Sequence, residues 1–180
     1  DDINEYELSG AYCIGTATFV DAFSIASQDG APKGIAFSND GKKMFIVGND
    51  GNDVNEYALD TSFDVSSAAF VDAFSVASQD EYPTDIVFNN DGTKMFITGK
   101  DGKDVNEYIL EAFDVSSATF VDSFSVSTQL DVPQAMAFNN DGTKMFVVGS
   151  DDDDVEEYIL TSPFDVSTAG FVVAFNVRSQ

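Results

Sequence analysis

The sequence contains no histidine and no tryptophan, and its one cysteine, Cys13, has no partner within the chain. Without histidine the commonest general base and the commonest transition-metal ligand are missing. A lone cysteine forms no internal disulfide, and here no imidazole is present to activate it as a nucleophile. Cationic residues are equally scarce: Lys and Arg total 8 against 32 Asp and Glu, a formal net charge of −24. Nucleic acid and anionic lipid both require a basic surface, so neither is expected as a partner. The acidity fits a solvated, soluble surface or, more sharply, the binding of divalent cations. No apolar run approaches the roughly 20 residues of a membrane-spanning helix, and no signal peptide is visible. The chain opens "DDINEY" without methionine, which leads us to expect that its native start lies elsewhere or has been removed.

What the sequence has is repetition. The pair Phe-Val falls at Phe19, Phe70, Phe120 and Phe171, at spacings of 51, 50 and 51 residues. Each unit divides into four short extended runs. In the second unit the first run is "PTDIVF", whose proline suits a strand start where no ladder donor is lost. The second, "KMFITG", is apolar throughout, as expected of a strand buried on both faces. Asn-Asp-Gly between them supplies residues that bond their own backbone and a glycine free to take positive φ, so a tight hairpin follows. The third, "DVNEYIL", alternates, with Tyr108 and Leu110 opposite Glu107. The fourth, "FVDSFSV", alternates again, placing Phe120, Phe124 and Val126 on one side. "FDVSSA" leads into it, where Asp114, Ser116 and Ser117 can cap the turn. No segment sustains helical periodicity.

Four strands per roughly 50 residues, in tandem, is the period of an all-β propeller built from four-stranded antiparallel blades. A β-solenoid fits less well, because its coils are shorter and rarely carry a tight hairpin in every unit. All 17 phenylalanines sit in repeat register, and so do Tyr6, Tyr57, Tyr108 and Tyr158. Both sets read as core packing between blades rather than ligand stacking. Tyr82 alone breaks register and is the aromatic expected to be exposed.

The pattern P-x-x-I-x-F-N-N-D-G-T-K-M-F-I-x-G resembles the YVTN and lactonase-like propeller repeats. It is also similar to the acidic "FDVS…NDGTKM" repeats of secreted and virion-surface proteins of marine bacteria and phages. The likeness spans the whole chain. It implies the fold, and it implies function weakly, because propellers host many tasks. A lactonase would need a catalytic set in the central channel, and no matching motif is found. The only arginine is Arg178, almost at the end of the chain.

Naming the strands a to d from "PTDIVF" onward, residues 1–28 form a half blade of strands c and d. Residues 29–79, 80–129 and 130–180 form one blade each. Closed rings of such blades commonly have about six to eight, or four at the least. Three and a half blades are therefore expected to belong to a longer chain or to be completed by another. Identical copies all lack an a–b pair, so self-association alone does not replace it.

Between copies, the a–b turn is nearly fixed while the d–a and b–c connections vary. Both variable connections emerge at one rim, where propeller binding loops usually lie. Asp29, Lys33, Glu81, Tyr82, Leu130 and Asp131 are thus the candidate recognition residues, for a protein or glycan surface or for further repeats. The b–c loops offer Asp50, Asp53, Asp101, Asp104, Asp151 and Asp153 as oxygen ligands for Ca²⁺, although the spacing is not that of an EF-hand. No other cofactor is implied. Glu56, Glu107 and Glu157 are expected to face solvent or to pair with Lys43, Lys94 and Lys144 in weak surface contacts. Together these features lead to the expectation of a non-enzymatic module for recognition, adhesion or assembly, outside the cell or on a virion. The alternatives are a lactonase-like hydrolase and a subunit of a filament or surface layer. Strand a separates them, since Lys33–Gly34–Ile35, Thr84–Asp85–Ile86 and Gln134–Ala135–Met136 offer few convergent polar groups.

Overall fold

A computed structural model describes residues 1–150 and 153–178. The chain forms fourteen strands: β1 (Asp2–Leu8), β2 (Ala17–Ser24), β3 (Pro32–Phe37), β4 (Lys43–Gly48), β5 (Asp53–Leu59), β6 (Ala68–Ser75), β7 (Pro83–Phe88), β8 (Lys94–Gly99), β9 (Asp104–Glu111), β10 (Asp114–Ser125), β11 (Pro133–Phe138), β12 (Lys144–Gly149), β13 (Asp154–Leu160) and β14 (Ala169–Asn176). They pair as one two-stranded sheet, β1–β2, and three four-stranded antiparallel sheets, β3–β6, β7–β10 and β11–β14. Pro32, Pro83 and Pro133 each open a first strand, where no hydrogen-bond donor is needed. We refer to β1–β2 as the half blade and to the others as blades one to three.

Every sheet is ordered as the chain runs, so the first strand of each blade is innermost. Those inner strands lie beside one another: β7 packs against both β3 and β11. The approach is close enough to require glycine at one point, because a Cβ on Gly34 would stand 2.8 Å from the Asp85 Cα. Between blades one and two lies a core of Phe45, Val47, Val54, Val76, Ile86, Met95, Ile97 and Tyr108, all nearly or wholly buried. The corresponding core between blades two and three holds Phe96, Val105, Val126, Leu130, Met136, Met145, Val147 and Tyr158. Each large side chain removed from water there stabilises the stack by about 1.5–3 kcal/mol. The second strands β4 and β8 are buried along nearly their whole length, as their continuous apolar sequence requires.

Aromatic columns cross each joint. Phe23 meets Tyr57, Phe74 meets Tyr108 and Phe124 meets Tyr158, edge to face at 5.6, 5.6 and 5.4 Å. The outermost strand departs from simple alternation. It pairs Phe120 with Tyr108 but Asp122 with Glu107, leaving Val121 as an extra residue in a β-bulge. The half blade and the other two blades carry the same shift. The bulge turns the Phe-Val phenylalanines toward the outside. Phe19, Phe70, Phe120 and Phe171 are 58%, 46%, 40% and 46% exposed and cap the tyrosines from the solvent side. This corrects the expectation that all phenylalanine columns are interior. Tyr82, 49% exposed, is as accessible as expected but not alone in it.

Candidate functional site

Two rims and an inner wall are available to build a site. At the a–b and c–d rim the chain is held by its own turn chemistry. Gly92 takes φ +73° after Asn-Asp, and Asp91 accepts hydrogen bonds from the Thr93 backbone N–H and hydroxyl. These donors hold the Asp91 carboxyl below its ordinary range, the Thr93 hydroxyl contributing most. The aromatic that opens each "FDVS" turn is itself left-handed: Phe63, Phe113 and Phe164 have φ +61°, +56° and +54°. Such a conformation costs a bulky residue about 1–3 kcal/mol. The Phe113 ring offsets it by lying on Gly92, where any Cβ would overlap the ring, while its N–H donates to the Gly92 carbonyl at 2.9 Å.

The left-handed turn also directs backbone groups at the preceding blade. Lys43 donates to the Phe113 carbonyl at 2.6 Å and pairs with Glu56 at 2.8 Å, and Glu56 accepts from the Val115 N–H at 3.0 Å. One blade later, Lys94, Glu107, Phe164 and Val166 repeat the arrangement at 2.6, 2.6 and 2.9 Å. The expected lysine–glutamate pairs therefore form, but Glu56 and Glu107 are buried, with side chains only 3% and 4% exposed. They are joints between blades and not surface contacts. Sequence reading missed this because the partners are backbone atoms of the next repeat.

At the opposite rim the recognition candidates separate. Lys33, Glu81, Tyr82 and Asp131 are exposed, whereas Asp29 and Leu130 are buried. Asp131 pairs with Lys103 at 2.9 Å. Asp29 and its counterpart Asp80 point inward as loop organisers. Asp80 accepts from the Tyr82 and Gly102 N–H groups at 2.6 and 2.8 Å, and Asp29 accepts from the Ala31 N–H. A signal for this was present: a position that alternates Asp, Asp, Leu across the copies is interior to the turn.

Of the proposed calcium ligands, Asp50 and Asp101 are exposed, while Asp53 and Asp104 are half-buried and each accept from a nearby asparagine at 2.7 Å. Asp153 pairs with Arg178, and Asp151 lies outside the described residues. Burial raises the carboxyls of Asp53 and Asp104, and the negative charges of Asp29 and Asp80 add to the shift. The same burial pushes the Tyr57 phenol up to about 12. These are carboxylate pairs. Among the described residues no three metal-binding side chains converge.

The inner wall carries Lys33 and Gln134, both exposed, and Asp85. Asp85 accepts from the Met136 N–H at 2.8 Å, tying blade two to blade three. Burial raises its carboxyl, and that backbone bond partly opposes the shift. Thr84 is engaged with the Thr98 and Pro133 carbonyls. Two clefts, about 320 and 290 Å³, open between blades one and two, toward the a–b turns.

No family model and no curated protein matches the chain, but solved structures do. A candidate 6-phosphogluconolactonase from Bacteroides fragilis superposes with a TM-score of 0.66 at 15% identity, over 98% of this chain and 49% of that one. The periplasmic gluconolactonase of Pseudomonas aeruginosa gives 0.60 at 15%, over 98% and 47%. The β-propeller domain of Cps50 from Myceliophteria thermophila gives 0.56 at 10%, over 81% and 43%. The chain spans about half the length of these structures. The expectation of a non-enzymatic module is corrected here: nearly the whole length of the chain superposes on structures named as gluconolactonases. What the likeness establishes is the fold, a β-propeller.

Proposed function

We propose that the chain forms part of a lactonase-like propeller that hydrolyses a sugar lactone or related cyclic ester at the inner wall of the completed ring. The observation that carries this reading is the superposition of 98% of the chain on about half of a structure named as a periplasmic gluconolactonase. Ester hydrolysis needs a group that takes a proton from water and a charge that steadies the developing oxyanion. Asp85 is the candidate base, since burial raises its carboxyl toward the working range of such a group. Lys33, exposed on the neighbouring inner strand, is the candidate electrophile. The variable loops around Glu81 and Tyr82 would select the substrate.

The test is hydrolysis of a lactone panel by the full-length protein, followed by pH-stat titration. Turnover that falls at least about 100-fold in Asp85→Asn supports the assignment. A folded, complete ring that opens no lactone overturns it.

A further inference from the structure

The three blades close the meeting of their d–a and b–c loops in different ways. In blade two, Asp80 Oδ2 accepts from the Gly102 N–H at 2.8 Å, and the Tyr108 hydroxyl bonds Gln79 at 3.3 Å. In blade three, Leu130 stands in place of the aspartate, and the Tyr158 hydroxyl bonds Gln129 at 3.5 Å. In blade one the same place holds oxygen atoms that nothing in the chain meets. Asp29 Oδ2, Asn49 Oδ1 and the Tyr57 hydroxyl are each buried without a hydrogen-bond partner. Asp29 and Tyr57 are 1% and 0% exposed.

These groups face a common space. Asp29 folds its carboxyl onto the backbone of Gly48, the residue before Asn49. The Asn49 N–H donates to the Ala31 carbonyl at 3.2 Å, and Asp29 Oδ1 accepts from the Ala31 N–H at 2.6 Å, which laces the two loops together. The Asp29 charge acts on both Asp53 and the Tyr57 phenol, and the Asp53 charge acts on the phenol as well. Neither carboxylate is in an ion pair among the described residues. Drawing two carboxylates out of water with no counter-charge is costly. A single water offers this set two protons and no charge, whereas a hard cation answers both carboxylates and the amide oxygen.

We propose that Asp29, Asn49 and Asp53 hold one calcium ion at the d–a and b–c rim of blade one. The donor set is oxygen alone and sits on loops, which suits Ca²⁺ better than Mg²⁺ with its near-ideal octahedron. No third acid or cysteine joins the two carboxylates among the described residues. Ca²⁺ takes about six to eight oxygens, so backbone carbonyls and water complete the shell, and a bound water gives the Tyr57 hydroxyl its acceptor. Two carboxylates place the dissociation constant at about 10⁻⁴–10⁻³ M, the weak end of calcium sites. The other blades lack the set: Lys100 stands where Asn49 does and brings an ammonium in place of a ligand, and Leu130 stands where Asp29 does. The assignment is independent of the proposed hydrolysis.

Equilibrium dialysis of the chelator-stripped full-length protein against calcium chloride, with the bound calcium counted, tests it, in about 0.15 M salt to screen loosely held counterions. Asp29→Leu is expected to remove one calcium per chain, and Asn49→Lys to weaken that site at least about tenfold. Both substitutions copy residues that other blades carry at the same positions, so circular dichroism should be unchanged. Asp101→Asn in blade two should leave the count as it is. A protein that binds no calcium overturns the proposal and leaves the three oxygens to buried water. A count that neither Asp29→Leu nor Asn49→Lys alters overturns it too.

Discussion

The two rims hold their carboxylates in opposite ways. At the a–b and c–d rim, Asp40, Asp91 and Asp141 sit in solvent and receive hydroxyl donors from Ser38, Thr93 and Thr143 and backbone N–H donors from Lys42, Thr93 and Thr143, which hold the acids below 3.8. At the d–a and b–c rim, Asp53 and Asp104 are drawn under the loops and rise above 3.8, chiefly through desolvation. The carboxylates of the two rims thus include two contrasting sets. One is stabilised by being ionised, the other resists it. The rim whose sequence hardly changes between copies is the one whose turns build the joints, so its constancy has a structural cause.

The largest expected effect comes from breaking the constant rim. Gly92→Ala puts a side chain at φ +73° and into the Phe113 ring. It should destabilise by more than ~2 kcal/mol, read from urea unfolding, whereas Tyr82→Ala at the variable rim should stay within ~0.5 kcal/mol. Equal effects would erase the distinction between the rims.

A second experiment compares one residue type in two settings. Glu107→Ala strands Lys94 and the Val166 N–H at a buried joint and should cost roughly 2 kcal/mol, discounted from a fully buried pair because Lys94 is partly exposed. Glu157→Ala, where the Glu157 side chain is 24% exposed, should cost under ~1 kcal/mol. Thermal melts of both variants check the order, and a reversed order would sink the joint as a source of stability.

The smallest effect sharpens the electrostatic contrast. Asp53, Asp85 and Asp104 have folded pKa values above 3.8, so their ionisation opposes folding, and stability rises as pH falls from neutral through those values. Asp91 and Asp141 have folded values below 3.8. Their contribution is present above 3.8 and lost as pH falls through the lower values. Tm should therefore peak in acid, between the lowered values of the one set and the raised values of the other. Asp104→Asn should flatten the rise on the neutral side and leave the acid limb unchanged.

Much of the fold was legible in the residues because its causes are local. Proline at strand starts, Asn-Asp-Gly between apolar runs and a fixed period specify four-stranded units without reference to neighbours. The joints were not legible in the same way. Glu107 reads as a solvent-facing residue on an alternating strand, and only the next repeat's Val166 N–H makes its burial tolerable. The bulge at Val121 likewise shifts Phe120 outward against a simple period of two. At the candidate site, exposure of Lys33 and Tyr82 followed from loop position. The inward turn of Asp29 and Asp80 was visible only in the Asp, Asp, Leu variation between copies, since it depends on the bare backbone of Gly48 and Gly99, onto which the two carboxyls fold. A missing histidine removes one common base and leaves carboxylates such as Asp85, so composition alone does not exclude catalysis.

The bulged outer strand has one more consequence. A sheet's last strand offers a row of free backbone groups on which a foreign strand could zip, the first step toward fibrils. In the half blade and in blades one and two, the extra valine puts that row out of step, and the following aspartate closes on a neighbouring N–H, as Asp72 does with Ala73 and Asp122 with Ser123 at 2.8 Å. Lateral growth is thereby discouraged along the outer edge of these sheets.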